Sequence, residues 1–303
     1  MIVSFSAENH LSFQGAVEFT ARATREKQHN HRVFHGGGAE LKLVQVSAIF
    51  GANAAGKSNF YSAIELLRRL VLRSPQSVAE SIPVEPFKLD DGLSEHKPTR
   101  FIIEILPAQT IYRLTVAVTR VAVVEEKLEE VKGTGATLLY WRQFPAGAKD
   151  THWNVENLKR RANSANDREF IGFKIRDTLR NQLFLTALRG KNLPIIEEVT
   201  SWFNEQLALM LPQTTFRRLE FSLPRKLEMH KFCNETLRTS GTGVEGIHLQ
   251  QVPWQDFPAP PELKEDLKKA VGEDQMTFVV GPNGRRFSVM RHQGELEVYR
   301  LYT

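Results

Sequence analysis

Val44-Gln-Val-Ser-Ala-Ile-Phe-Gly-Ala-Asn-Ala-Ala-Gly-Lys-Ser-Asn-Phe60 is the stretch on which the fold turns. It is led in by an apolar run, residues 43–50, which reads as a buried strand. Gly51, four small or polar residues, Gly56, Lys57 and Ser58 then fill the G-x-x-x-x-G-K-[ST] pattern. Phe60, Ile64, Leu67 and Val71 follow at helical spacing, among the good helix formers Ala63, Glu65 and Leu66. The order is strand, glycine loop, helix, the context that a phosphate-binding loop requires.

Each residue type has a physical reason to be there. Gly51 and Gly56 allow backbone angles and a close approach that a β-carbon would block. Ala52, Ala54 and Ala55 keep the loop tight, so that the N–H groups from Asn53 to Lys57 can converge on a polyanion. The helix starts where the loop ends, and its dipole favours negative charge at that point. Lys57 is placed to bridge the β- and γ-phosphates as a point charge, and the Ser58 hydroxyl to ligate Mg²⁺. Residues 51–59, Asn59 included, are therefore the candidate nucleotide site, with ATP and Mg²⁺ as the expected cofactors.

With Asn53 inside the loop and Asn59 behind it, Ile49-Phe-Gly-Ala-Asn-Ala-Ala-Gly-Lys-Ser-Asn-Phe resembles the RecF/SMC-like branch of ABC-type ATPases. Glu8-Asn-His-Leu-Ser-Phe near the N-terminus is similar to that branch's first turn. Within the branch the chain most resembles the AbiLii/RloC-like and overcoming-lysogenisation-defect-like ATPases of anti-phage and retron systems. Pro86-Phe-Lys-Leu, Pro98-Thr-Arg-Phe-Ile-Ile-Glu-Ile and Ile111-Tyr-Arg-Leu-Thr-Val-Ala-Val resemble the antiparallel sheet behind the phosphate loop. Asn181-Gln-Leu-Phe-Leu-Thr-Ala-Leu and the Trp202-Phe helix resemble the helical insertion, and Thr239-Ser-Gly-Thr-Gly-Val-Glu-Gly-Ile a later glycine-rich stretch. The resemblance implies an α/β ABC-type ATPase head, a P-loop NTPase with an antiparallel sheet lobe and a helical insertion. It also implies that heads pair on ATP, as a homodimer or higher homo-oligomer, and gate a nuclease or toxin effector.

Members of that branch continue into an S-x-G-T signature motif, a Walker B strand ending in Asp-Glu, and a switch histidine. No such succession occurs in these 303 residues. Val121-Ala-Val-Val-Glu-Glu imitates a Walker B strand, but it runs on into Lys127-Leu-Glu-Glu-Val, which alternates like a half-exposed strand. Thr239-Ser-Gly-Thr-Gly imitates the signature motif without following a strand. Neither is assigned, and the catalytic carboxylate is left unknown. The expectation is a fragment of a longer protein, or a chain completed by another, that binds ATP and hydrolyses it poorly alone. A non-hydrolysing nucleotide sensor or scaffold is the alternative. A RecF-like repair ATPase is a third reading, but it would need heptad runs that are lacking.

The rest of the chain is expected in three parts. Residues 1–156 form the ATPase lobe, with a strand meander over 82–145 that alternates at Phe101/Ile103/Ile105 and Tyr112/Leu114/Val116/Val118. Residues 157–251 form the helical insertion, with apolar spacing at Ile175/Leu179/Leu183 and Trp202/Phe203/Leu207/Leu211 and breaks at Pro194 and Pro212. Residues 252–303 return to the core through a stiff proline-rich linker, a short helix over 262–271, and strands at 276–280, 285–291 and 296–302.

Composition limits the class. With 41% hydrophobic and 25% charged residues the chain is globular, and a net charge of +5 is only mildly basic. The basic clusters Lys159-Arg-Arg, Arg217-Arg, Arg225-Lys and Arg285-Arg leave nucleic acid open as a partner, beside the plainer reading of solvated faces. The single cysteine, Cys233, excludes an internal disulfide framework and is read as an inert thiol. His29, His31 and His35 lie close together beside Gly36-Gly-Gly, without a neighbouring carboxylate, and are read as a solvated loop. No leader or apolar span of membrane length is evident, so a soluble cytoplasmic protein is expected.

Overall fold

The computed structural model describes residues 1–25, 29–36, 41–133, 135–145, 147, 150–191, 193–211, 226–241, 243–273 and 275–302. The chain divides into two compact units, residues 1–209 and 210–303.

The first unit is built on a seven-stranded antiparallel sheet of order β2-β1-β5-β6-β7-β8-β9. Its strands are β1 (Ile2–Glu8), β2 (Val17–Thr20), β5 (Thr99–Ile105), β6 (Ile111–Val118), β7 (Val123–Lys132), β8 (Gly135–Gln143) and β9 (His152–Asn154). The alternation over 82–145 thus becomes the meander β5–β8. Phe101, Ile103, Leu114, Val116 and Leu128 point to one face and are fully enclosed. The other face carries a charge ladder: Glu104 lies opposite Arg113 and Arg113 opposite Glu129 in register. The Glu104 carboxylate takes Arg22 at 3.0 Å and Arg113 at 2.7 Å. Burial opposes the charge on Glu104, but the two guanidiniums prevail and hold its pKa below the ordinary value.

Helix α1 (Lys57–Leu72) lies beneath the apolar face. It buries Ala63, Ile64, Leu66, Leu67, Leu70 and Val71, the stripe that its 3.6-residue period dictates. Beside it are α2 (Glu156–Arg160), α3 (Ala165–Asp177), α4 (Phe184–Ala187), α5 (Pro194–Ser201) and a π-helical turn at Trp202–Gln206. Pro194 opens α5 as its first residue, where its missing N–H costs nothing. Leu179 and Leu183 lie between helices rather than in one; Pro212 falls outside the described residues. The helical stretch expected over 157–251 is divided between the units: α2–α5 belong to the first, and α6 (Leu227–Thr239) to the second.

One expectation is overturned. Residues 43–50 are not a buried strand: β4 covers only Lys42–Val44 and pairs with β3 (Val33–His35). Val46 is 87% and Phe50 91% exposed. An apolar run becomes a buried strand only where neighbouring strands and a covering layer take it up. Among the described residues, none makes a backbone hydrogen bond to 45–50.

The second unit has its own core. A four-stranded antiparallel sheet, order β10-β13-β12-β11, comprises β10 (His248–Val252), β11 (Met276–Val280), β12 (Arg286–His292) and β13 (Glu295–Tyr302). Helix α7 (Pro261–Ala270) packs Leu267, with Val271 and Phe257, onto Phe287, Val289 and Val298. The three late strands and the short helix match the sequence reading within a residue or two, whereas β10 does not figure in it. The segment expected as a linker contributes to the core instead, since Phe257 is 1% exposed. No helix among the described residues is long and apolar enough to cross a membrane.

Candidate nucleotide site

The loop of residues 51–56 is open to solvent and leads directly into α1. Gly56 caps the helix at φ 89°, in the left-handed region, where a side chain would be strained. A β-carbon there would also lie 2.7 Å from the Phe13 ring. Ala54 adds a second left-handed residue at φ 64°, and the Ala55 N–H donates to the Ala52 carbonyl at 3.2 Å. Such alternation makes the concave backbone that binds anions. At Gly51 a β-carbon would lie 3.2 Å from Ala55 Cβ, a tight contact, so Gly56 is required by both space and angle and Gly51 is favoured by space alone.

The Lys57 ammonium donates to the Gly51 carbonyl at 2.8 Å and to the Ala52 carbonyl at 2.7 Å. It is folded across the mouth of the loop that it would share with phosphate. Helix α1 has no acidic residue in its first turn. A lysine at the positive end of a 16-residue helix, without a local carboxylate, is electrostatically unfavourable until an anion arrives. The donor set therefore fits a polyphosphate. Ser58 is exposed at the second helical position, so its hydroxyl fits a single place in a magnesium shell. The Asn59 amide donates to Ser12 Oγ at 2.7 Å. Asn53 is exposed in the loop.

The two glutamates that imitate a Walker B strand are engaged elsewhere. Glu126 is completely enclosed. It accepts hydrogen bonds from the N–H groups of Phe184 at 2.7 Å and Leu185 at 2.8 Å. It also accepts the Tyr140 hydroxyl at 2.8 Å and pairs with Arg142 Nε at 2.9 Å. Three hydrogen bonds and a buried ion pair thus engage this fully enclosed carboxylate within the core. Burial first, then the Glu126 charge, hold the Tyr140 phenol well above its ordinary pKa, so it stays a donor. Glu125 pairs with Arg100. Glu126 thus tethers α4 to the sheet, a role invisible in sequence because its register opposite Arg142 joins residues from two strands.

The remaining sequence candidates are spread out. The rings of His29 and His31 meet edge to face at 5.8 Å. Among the described residues no group of three His, Cys, Asp or Glu is arranged to hold a metal ion. Arg161 pairs with Glu130, whereas Arg217, Arg218 and Arg225 lie outside the described residues, as do Gly37, Gly38 and Thr242. Cys233 is a half-buried free thiol on α6. Ser12, which the sequence reading quotes only within the Glu8-Asn-His-Leu-Ser-Phe turn, lies against this segment through its bond to Asn59.

Residues 46–271 match the family described as "AAA domain, putative AbiEii toxin, Type IV TA system". The chain belongs to this family of P-loop ATPase-type α/β domains. No curated protein and no solved structure matches the chain.

Proposed function

We propose that this chain is an ABC-type ATPase head of the RecF/SMC-like branch, which binds ATP·Mg²⁺ at residues 51–58 and pairs with a second head around the nucleotide. The observation that carries the reading is the cradle itself. Gly56 is left-handed at the start of α1, with Lys57 held across the loop and no acid in the first turn. Lys57 would neutralise the β- and γ-phosphates, the loop N–H groups would orient them, and Ser58 would hold the metal. When bound, Mg²⁺ supplies charge neutralisation between the β- and γ-oxygens. Turnover also needs a carboxylate and a water-orienting group, and Glu125 and Glu126 are already committed to structural bonds. We assign those groups to a further polypeptide segment that covers the exposed stretch 45–50. In the cell, head pairing would control a nuclease or toxin effector in anti-phage defence or a toxin–antitoxin pair; the family description itself names a putative toxin and a type IV toxin–antitoxin system.

A second reading, a sensor that binds ATP without hydrolysing it, is favoured by the same observation on Glu126. Sedimentation with a non-hydrolysable ATP analogue and Mg²⁺ tests the pairing. The wild type should gain mass toward a dimer and Lys57→Ala should not; a wild type that stays monomeric while saturated with the analogue would overturn the pairing.

A further inference from the structure

The phosphate loop does not stand alone. Residues 9–13 form a tight turn closed by two backbone hydrogen bonds, His10 N–H to Phe13 O at 2.9 Å and Phe13 N–H to His10 O at 2.8 Å. Two of its residues are non-glycines in the left-handed region, Asn9 at φ 51° and Leu11 at φ 50°. Such angles cost free energy and persist only where surrounding contacts enforce them. Here the contacts are plain. Asn9 is 3% exposed. Its amide donates to the Ser94 and Lys97 carbonyls at 2.9 Å each, and its side-chain oxygen accepts the Phe87 N–H at 3.0 Å. Its own carbonyl accepts the Thr99 hydroxyl at 2.7 Å, and the Leu11 N–H is bonded to the Glu85 carbonyl at 2.8 Å.

The far side of this fastened turn meets the nucleotide site. Phe13 occupies the space that a β-carbon on Gly56 would need, and Ser12 Oγ lies 3.2 Å from that same point. Ser12 Oγ also accepts the Asn59 amide from the third residue of α1. The first contact falls on the segment whose N–H groups and lysine would hold phosphate, and the second two residues behind that lysine. We infer that Ser12 is a positioning residue for the nucleotide: through Asn59 it fixes the first turn of α1 and so pre-organises the phosphate cradle, without touching the ligand. This rests on the reading of residues 51–58 as the ATP site.

The test is a double-mutant cycle on ATP·Mg²⁺ affinity, with thermal midpoints measured on the same samples and Lys57→Ala as control. Ser12→Ala and Asn59→Ala should each weaken binding about five- to tenfold. The double variant should be no worse than either single variant, and Ser12→Thr, which keeps the hydroxyl, should bind like wild type. Midpoints should barely move, since Ser12 is exposed. Losses that multiply in the double variant would make Asn59 a direct ligand, independent of Ser12, and overturn the inference. Wild-type affinity in Ser12→Ala, with Lys57→Ala defective, would overturn it too. Wild-type affinity in Lys57→Ala would instead defeat the reading of the site itself.

Discussion

Ser12 and Asn59 are 47 positions apart in the chain and 2.7 Å apart in the fold, and nothing in the sequence pairs them. The same holds for Glu126 and Arg142, which only the register of β7 against β8 brings together. A single residue is legible where its type alone dictates its geometry, as at the left-handed Gly56 before α1, and illegible where a partner defines the role. Removing Arg142, as Arg142→Met, leaves the Glu126 charge enclosed without its cation and should cost about 3–5 kcal/mol in urea unfolding. Lys268→Ala, which breaks the exposed pair with Glu265, should leave the urea midpoint unchanged. A midpoint for Arg142→Met within error of wild type would deny the tether its structural weight. His10 is a second residue-scale case. It is 3% exposed against Phe101, and neither ring nitrogen has a hydrogen-bond partner among the described residues. Burial lowers its pKa, with Glu85 opposing. The unfolded chain then takes up the proton more readily than the folded one. Stability is therefore full above the ordinary value near 6.5 and falls as the pH drops below it. The thermal midpoint should be lower at about pH 5.5 than at about pH 7.5, and His10→Phe should narrow that gap. An unchanged gap would place the acid sensitivity elsewhere.

At the scale of elements, periodicity served where each element is buried by its own neighbours in the chain. The stripe of Ile64, Leu67 and Val71 marked α1, and alternation marked β5 and β6, because each packs against the adjoining sheet or helix. It failed at residues 45–50. An apolar run records that a segment can be buried, not that a partner is present to bury it. It failed again at 253–259, where the prolines suggested a linker but Trp254 and Phe257 fasten the segment to the second core. The exposed stretch yields a clean expectation. Phe50→Ser should leave the unfolding free energy within about 0.5 kcal/mol of wild type, because a surface residue away from caps and ion pairs contributes little. A loss above about 1 kcal/mol would show that Phe50 is covered in solution, by a second copy of the chain or by a rearranged loop.

For the whole molecule, the chain forms two units with separate cores, and the first holds the strongly specified chemistry, the loop that ends at the positive pole of α1. Its members have the geometry to bind nucleotide, while the two acidic side chains best placed in sequence to help hydrolysis hold the fold together instead. The chain should therefore bind ATP·Mg²⁺ and turn it over slowly or not at all when purified alone. Robust turnover that Lys57→Ala abolishes would mean that the hydrolytic carboxylate lies within these 303 residues. The most direct test of the central claim is a titration of wild type and Lys57→Ala with ATP·Mg²⁺, each checked for an unchanged thermal midpoint. Loss of the charge-assisted contacts predicts binding weakened at least tenfold in the variant, at equal stability. Equal affinity in the two proteins would contradict the assignment of residues 51–58 as a phosphate site.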